Sequence, residues 1–69
     1  MKNVIIQVVQ EMHDPLTRER ELRATFDALE ALDIQEGLIL SDTNQDPVRR
    51  DDKGVTIRSI AEWLLEEPN

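Results

Sequence analysis

The sequence predicts an α/β domain: a small mixed sheet in the order β-α-β-(β)-β-α, opening with a parallel βαβ crossover. Three observations carry this expectation. An aliphatic run at 4–9 precedes a long charged stretch with one apolar stripe, and a second aliphatic run follows at 38–41. Strand, helix and strand in that order form a βαβ unit, with parallel strands and a right-handed crossover. A polar, turn-rich segment then leads to a strand-like "VTIRSI" and a helix-like "SIAEWLLEE".

Each element has a local reason. Five of the seven residues in "VIIQVVQ" (4–10) are branched aliphatics, with Gln7 at the centre. The unbroken run at 4–9 predicts a strand buried on both faces, as in the middle of a parallel sheet. Asp14 suits a helix N-cap and Pro15 the first helical position, with Thr17 a second possible start. Leu22, Phe26, Leu29 and then Leu32 or Asp33 recur every three to four residues, which gives one apolar helical stripe. Arg18, Glu19, Arg20, Glu21, Arg23, Asp27 and Glu30 fall on the other faces and read as a solvated surface. Glu19 and Arg23 make an (i, i+4) pair in the favourable order, worth about 0.3 kcal/mol. Gly37 breaks the helical pattern, and "LILS" at 38–41 is the second strand.

The segment 42–54 is expected either to hold a short hairpin, roughly 47–50 with 55–59, or to be disordered at its tip. Its turn is "DDKG", with Gly54 at positive φ. Ser59 caps the last helix, and Glu62 three residues on completes a capping box. Trp63, Leu64 and Leu65 are three consecutive apolar residues, read first as core and alternatively as a contact surface. Glu66 and Glu67 sit at the negative end of that helix's dipole, where acids are unfavourable.

Composition excludes several classes. The 69 residues make one domain, 1–69, and a chain of this size buries only about 60% of its unfolded surface. It has no cysteine and one histidine, His13, so disulfides, thiolate sites and multi-histidine zinc sites are excluded. An aliphatic core with only Phe26 and Trp63 as aromatics comes out near zero when burial is set against chain entropy. Oligomerisation, or origin within a larger parent, is therefore expected. The net charge of -7 opposes the counterion release that drives nucleic-acid binding, and it disfavours anionic membranes. No apolar run reaches the roughly 18–20 residues of a membrane span. The start Met1-Lys2-Asn3 with its short strand is not a signal sequence, so a cytoplasmic location is expected.

Catalytic motifs are incomplete. Gly37 and Gly54 are the only glycines, which leaves no phosphate-binding loop. Ser41, Ser59 and His13 have no spacing that joins them into a triad, and His13 reads as a surface loop residue. Arg49-Arg50 are flanked by Asp46, Asp51 and Asp52 and are expected to be neutralised by them rather than to bind an anion. The three aspartates lack the spacing of a calcium loop.

The stretches "IIQVV" at 5–9, "TRERELRA" at 17–24, "LDIQEGLILSD" at 32–42, "GVTIRSI" at 54–60 and "EWLL" at 62–65 span nearly the whole chain. In them the sequence resembles the C-terminal domain of a family of prokaryotic AAA-type ATPases, which is similar to the PD-(D/E)XK, or restriction-endonuclease-like, fold. The family often has glycine near position 33 and proline before the final tryptophan segment, where this chain has Asp33 and Ala61. In active nucleases of that fold, the strand entering this helix carries Glu-x-Lys; the glutamate holds Mg²⁺ and the lysine orients water. The resemblance places Gln7 at the glutamate and Val9 at the lysine, with the metal-binding aspartate on a strand before Met1. It implies the C-terminal half of a nuclease-like fold with a degenerate motif at Gln7 and Val9.

The expected function is a non-catalytic interaction or structural module, not an enzyme, with no cofactor and no metal. It is expected to be part of an ATPase-associated nuclease-like domain. Its partner is another protein or a second copy in a homodimer: the resemblance, by leaving the upstream strands out, implies an open sheet edge that a second copy would bury, and Trp63, Leu64 and Leu65 are a candidate contact surface. The alternatives are a metal-dependent nuclease and a nucleic-acid-binding domain acting through Arg18, Arg20, Arg23 or Arg49-Arg50.

Overall fold

The computed structural model describes residues 4–66. In chain order they form β1 (Val4–Val8), α1 (Pro15–Leu32), β2 (Glu36–Ser41), β3 (Gln45–Arg50), β4 (Lys53–Ser59) and α2 (Ile60–Leu65). The strands make one mixed sheet in the order β1-β2-β4-β3. β1, β2 and β4 are parallel, and β3 runs antiparallel to β4. The α/β class and the parallel β1-α1-β2 crossover are as the sequence predicts. Met1-Lys2-Asn3 and Glu67, which enter the signal-sequence and dipole expectations, lie outside the described residues.

Capping sets the limits of α1. The Asp14 carboxylate accepts from the Leu16 N–H at 3.0 Å and from the Thr17 hydroxyl at 3.4 Å, and Pro15 opens the first turn. Leu22, Thr25, Phe26 and Leu29 are the buried face. The stripe stops there. Leu32 is exposed, and Asp33 takes left-handed backbone (φ 55°, ψ 45°). The Ile34 N–H then bonds back to the Leu29 C=O at 2.9 Å, which turns Ile34 against the core. Asp33, not Gly37, therefore ends the helix. Gly37 lies inside β2, which starts at Glu36 rather than at 38. A Cβ on Gly37 would stand 3.1 Å from Thr25 Cγ2, so its absence lets α1 close on the sheet.

Met12, Leu22, Phe26, Leu29, Ile39, Val55 and Ile57 form the core, between α1 and one face of the sheet. α1 lies chiefly over β4 and β2. That position corrects the expectation for β1. It is an edge strand, not a strand buried on both faces. Ile5 and Val9 pack against the core on one face, while Val4, Ile6 and Val8 on the other are 48%, 52% and 63% exposed.

The hairpin is longer than expected, and its turn at Asp51-Asp52 lies within the expected "DDKG". β3 begins at Gln45, and its register with β4 shifts between Gln45 and Val48, where Pro47 has no N–H to give the ladder. Asp51 takes the left-handed conformation (φ 55°), and Gly54 has no positive φ. Gly54 sits in β4 beneath Arg49; a Cβ there would lie 2.6 Å from Arg49 Nη1.

Ser59 caps α2, its hydroxyl accepting from the Glu62 N–H at 3.4 Å. The reciprocal half of the expected capping box is replaced by Asn44. Its Oδ1 accepts from the Ser59 N–H at 2.8 Å, and its Nδ2 donates to the Glu62 carboxylate at 2.5 Å. α2 lies against β4 and β2. Arg58, whose neighbour Ile57 faces α1, pairs with Glu66, and this places α2 on the opposite face. The pair holds Glu66 below, and Arg58 above, their ordinary pKa values. Glu66 thus has a local cation against the unfavourable helix dipole. Trp63 is half-buried, but Leu64 and Leu65 are exposed, so the core expectation fails for those two leucines: α2 has no buried residue.

Asp33→Gly should stabilise the domain by about 0.5–1 kcal/mol in urea unfolding, because it relieves left-handed strain and removes an acid from the negative end of α1. A loss of stability would mean that Asp33 makes a compensating interaction.

Candidate functional site

Two regions gather what the sequence singles out: the strand β1, and the carboxyl ends of β1 and β2. On the α1 side of β1, Gln7 is fully engaged. Its Nε2 donates to Glu21 Oε1 at 2.9 Å, and its Oε1 accepts from the Thr25 hydroxyl at 3.1 Å. The same hydroxyl lies 2.8 Å from the Glu21 C=O of its own helix. Thr25 is fully buried, so this is a polar pin between β1 and α1 in which both ends of the amide are used. Val9 packs at the core margin, and its N–H donates to the Leu40 C=O at 2.9 Å. The two positions aligned on Glu-x-Lys thus make structural contacts. Among the described residues, no three His, Cys, Asp or Glu side chains converge as metal ligands.

At the carboxyl ends of β1 and β2 the fold brings His13 to the adjacent pair Ser41-Asp42, 29 residues from Asp42. The Ser41 hydroxyl donates to Asp42 Oδ1 at 2.8 Å, and His13 Nδ1 lies 3.0 Å from Asp42 Oδ2. Beside them is a cavity of about 310 Å³ lined by Val8, Val9, Gln10, Leu40, Ser41, Asp42 and Ile60. Carboxyl ends of parallel strands are where open α/β sheets bind ligands. The order of the three groups, however, is wrong for a nucleophile. The carboxylate stands between serine and histidine, so the serine proton faces Asp42 and the imidazole has no hydroxyl to activate. The Ser41 hydroxyl, with a smaller contribution from His13, holds Asp42 below its ordinary value of 3.8. Asp42 is therefore a carboxylate, not a general acid, at neutral pH.

The basic residues do not form a free stripe. Arg18 Nε donates to Gln45 Oε1 at 2.5 Å, Arg20 lies 3.5 Å from Glu21, and Arg23 lies 3.5 Å from Glu19. Arg50 stacks over the Phe26 ring at 4.7 Å, closing one end of the core. Among the described residues, neither Arg49 nor Arg50 makes a contact ion pair with Asp46, Asp51 or Asp52. Asp52 instead meets Lys53 at 3.3 Å.

The open side of β1 is uncovered among the described residues. The N–H and C=O groups of a strand alternate from side to side. The Val9 N–H points at β2, so those of Val4, Ile6 and Val8 point away from it, where no described strand pairs. Comparison with protein-family models, curated proteins and solved structures finds no match.

Sequence reasoning missed Met12, Thr25, Asn44 and Gln45. Gln45 ties the loop before α1 to β3 through a 2.8 Å bond to the Met12 C=O. Thr25 alone carried a readable sign, since it lies three residues after Leu22 on the buried stripe.

Gln7→Glu places a second carboxylate against Glu21. Its folded pKa would be raised, so the variant should lose about 1–3 kcal/mol at neutral pH and recover towards wild type below pH ~4. Urea unfolding at several pH values reads this, and equal loss at every pH would point to packing instead. Asp42, with its lowered folded pKa, stabilises the fold above 3.8 and ceases to do so as pH falls through the folded value. NMR titration of Ser41→Ala should show the Asp42 carboxyl moving back up towards 3.8.

Proposed function

We propose that this domain is a non-catalytic association module whose working surface is the outer edge and open face of β1. The observation that carries this reading is the exposure of Val4, Ile6 and Val8 along a strand with no charged residue from Val4 to Gln10. Sheets protect open edges with charges, proline, irregular register or a covering segment. The other edge, β3, has Asp46, Pro47, Arg49, Arg50 and a register shift. The difference lies within one sheet, so it is not explained by composition. α2 adds Leu64 and Leu65 to the apolar surface of the face opposite α1.

Catalysis has no comparable support. Gln7 is consumed in docking α1, Asp14 in capping it, and Asp42 by Ser41 and His13. The likeness to an ATPase-associated, nuclease-like domain fits this reading as a frame that keeps the βαβ unit without the charged motif. The acidic balance favours a protein partner over nucleic acid. Incubation with plasmid and single-stranded DNA in Mg²⁺ or Mn²⁺ should give no cleavage above a protein-free control. Cleavage that disappears in Asp14→Asn or Asp42→Asn would overturn the proposal.

A further inference from the structure

Resting on that association reading, we infer that the partner at the β1 edge is a second copy of this chain. The two β1 strands pair antiparallel about a two-fold axis that sets Ile6 opposite Ile6, joining two four-stranded sheets into one.

Backbone geometry selects this register. Val4, Ile6 and Val8 present three N–H and three C=O groups to the open side. With Ile6 opposite Ile6, Val4 faces the second copy's Val8, and each facing pair exchanges two hydrogen bonds. All six groups of each copy are then satisfied. The same parity puts the side chains of Val4, Ile6 and Val8 from both copies on one face, as directly facing β-branched pairs. A two-fold interface must be self-complementary. The aliphatic pattern at 4, 6 and 8 reads the same in both directions, which is the requirement that a foreign strand would not impose.

Charge and clearance agree with it. Each copy carries a net charge of -7, and the uncharged stretch 4–10 is where two copies meet with least repulsion. α1 and α2 both lie chiefly over β2 and β4, on opposite faces, which leaves β1 clear for an incoming strand. The exposed parts of Val4, Ile6, Val8 and neighbouring Ile60 come to roughly 350 Å² of apolar surface, within the range of the largest patches on monomers. With the edge backbone, two copies bury on the order of 1,000 Å² in total, near the lower limit for a specific interface. Association in the micromolar range is therefore expected.

The test combines sedimentation equilibrium with amide hydrogen exchange. Wild-type mass should rise from monomer to dimer as concentration increases, and added salt should strengthen the dimer by screening like charges. The amides of Ile6 and Val8, unpaired within one chain, should gain protection with concentration, while Gln7 and Val9 stay protected throughout. Ile6→Lys should weaken association at least tenfold, with Val8→Lys as a second variant should the first not fold. A dimer in which Ile6 and Val8 exchange freely would overturn this pairing. A monomer at every concentration would overturn it too, and the dye bis-ANS then separates the two readings. Binding of the dye with NMR shifts at Val4–Val8 would leave the association surface standing without self-pairing. A monomer with no such binding would overturn both.

Discussion

The seam between α1 and the sheet carries this fold. Leu29 is wholly buried against Ile39, Val55 and Ile57, and Phe26 and Leu22 extend the contact along the helix. Gly37 allows the close approach, since any side chain there would press on Thr25. The seam also contains its own polar element. The single Thr25 proton has two acceptors within reach, Gln7 Oε1 across the gap and the Glu21 C=O of its own helix, so the buried hydroxyl is never left unpaired. A purely aliphatic contact would hold the helix on the sheet but leave it free to slide. The amide and the hydroxyl fix where along β1 the helix sits.

One helix cannot cover four strands. α1 lies over β2 and β4, and the short α2 lies over the same two strands from the other side. Leu40 is thereby buried on the α2 side, while Val8, its register partner on β1, stays exposed. The described chain is accordingly a slab only 16 Å thick and about 30 Å across. Burial is concentrated in its centre, and the two edge strands are left to resolve their exposure by sequence. β3 does so with charge, proline and an irregular register. β1 does not.

Much of this was legible in the residues. Asp14-Pro15 announced the start of α1, and the spacing of Leu22, Phe26 and Leu29 announced its buried face. What periodicity could not tell was where β1 stands in the sheet. An unbroken run of valine and isoleucine reads as a central strand because local pattern records burial preference, not the position of a distant helix. The length of the helix is legible but not its cap: Gly37 reads as the break in the pattern, whereas Asp33 adopts the left-handed turn and the glycine serves packing. The Asn44 bridge into the α2 cap and the Gln45 tie to Met12 depend on loops meeting in space, which a polar stretch such as "SDTNQD" does not encode in any spacing.

The alternation of β1 separates two questions that its sequence blends. Ile5, Gln7 and Val9 face α1; these positions decide whether the strand could present a catalytic acid and a lysine. Val4, Ile6 and Val8 face away; they decide whether the strand can associate. Because a pleated strand assigns odd and even residues to opposite faces, the amide at Gln7 says nothing about the apolar strip behind it, and the strip does not follow from the missing charges. β1 carries valine, isoleucine and valine there, while the other edge strand, β3, carries charge and proline, and this is an independent reason to place its proposed role on that face.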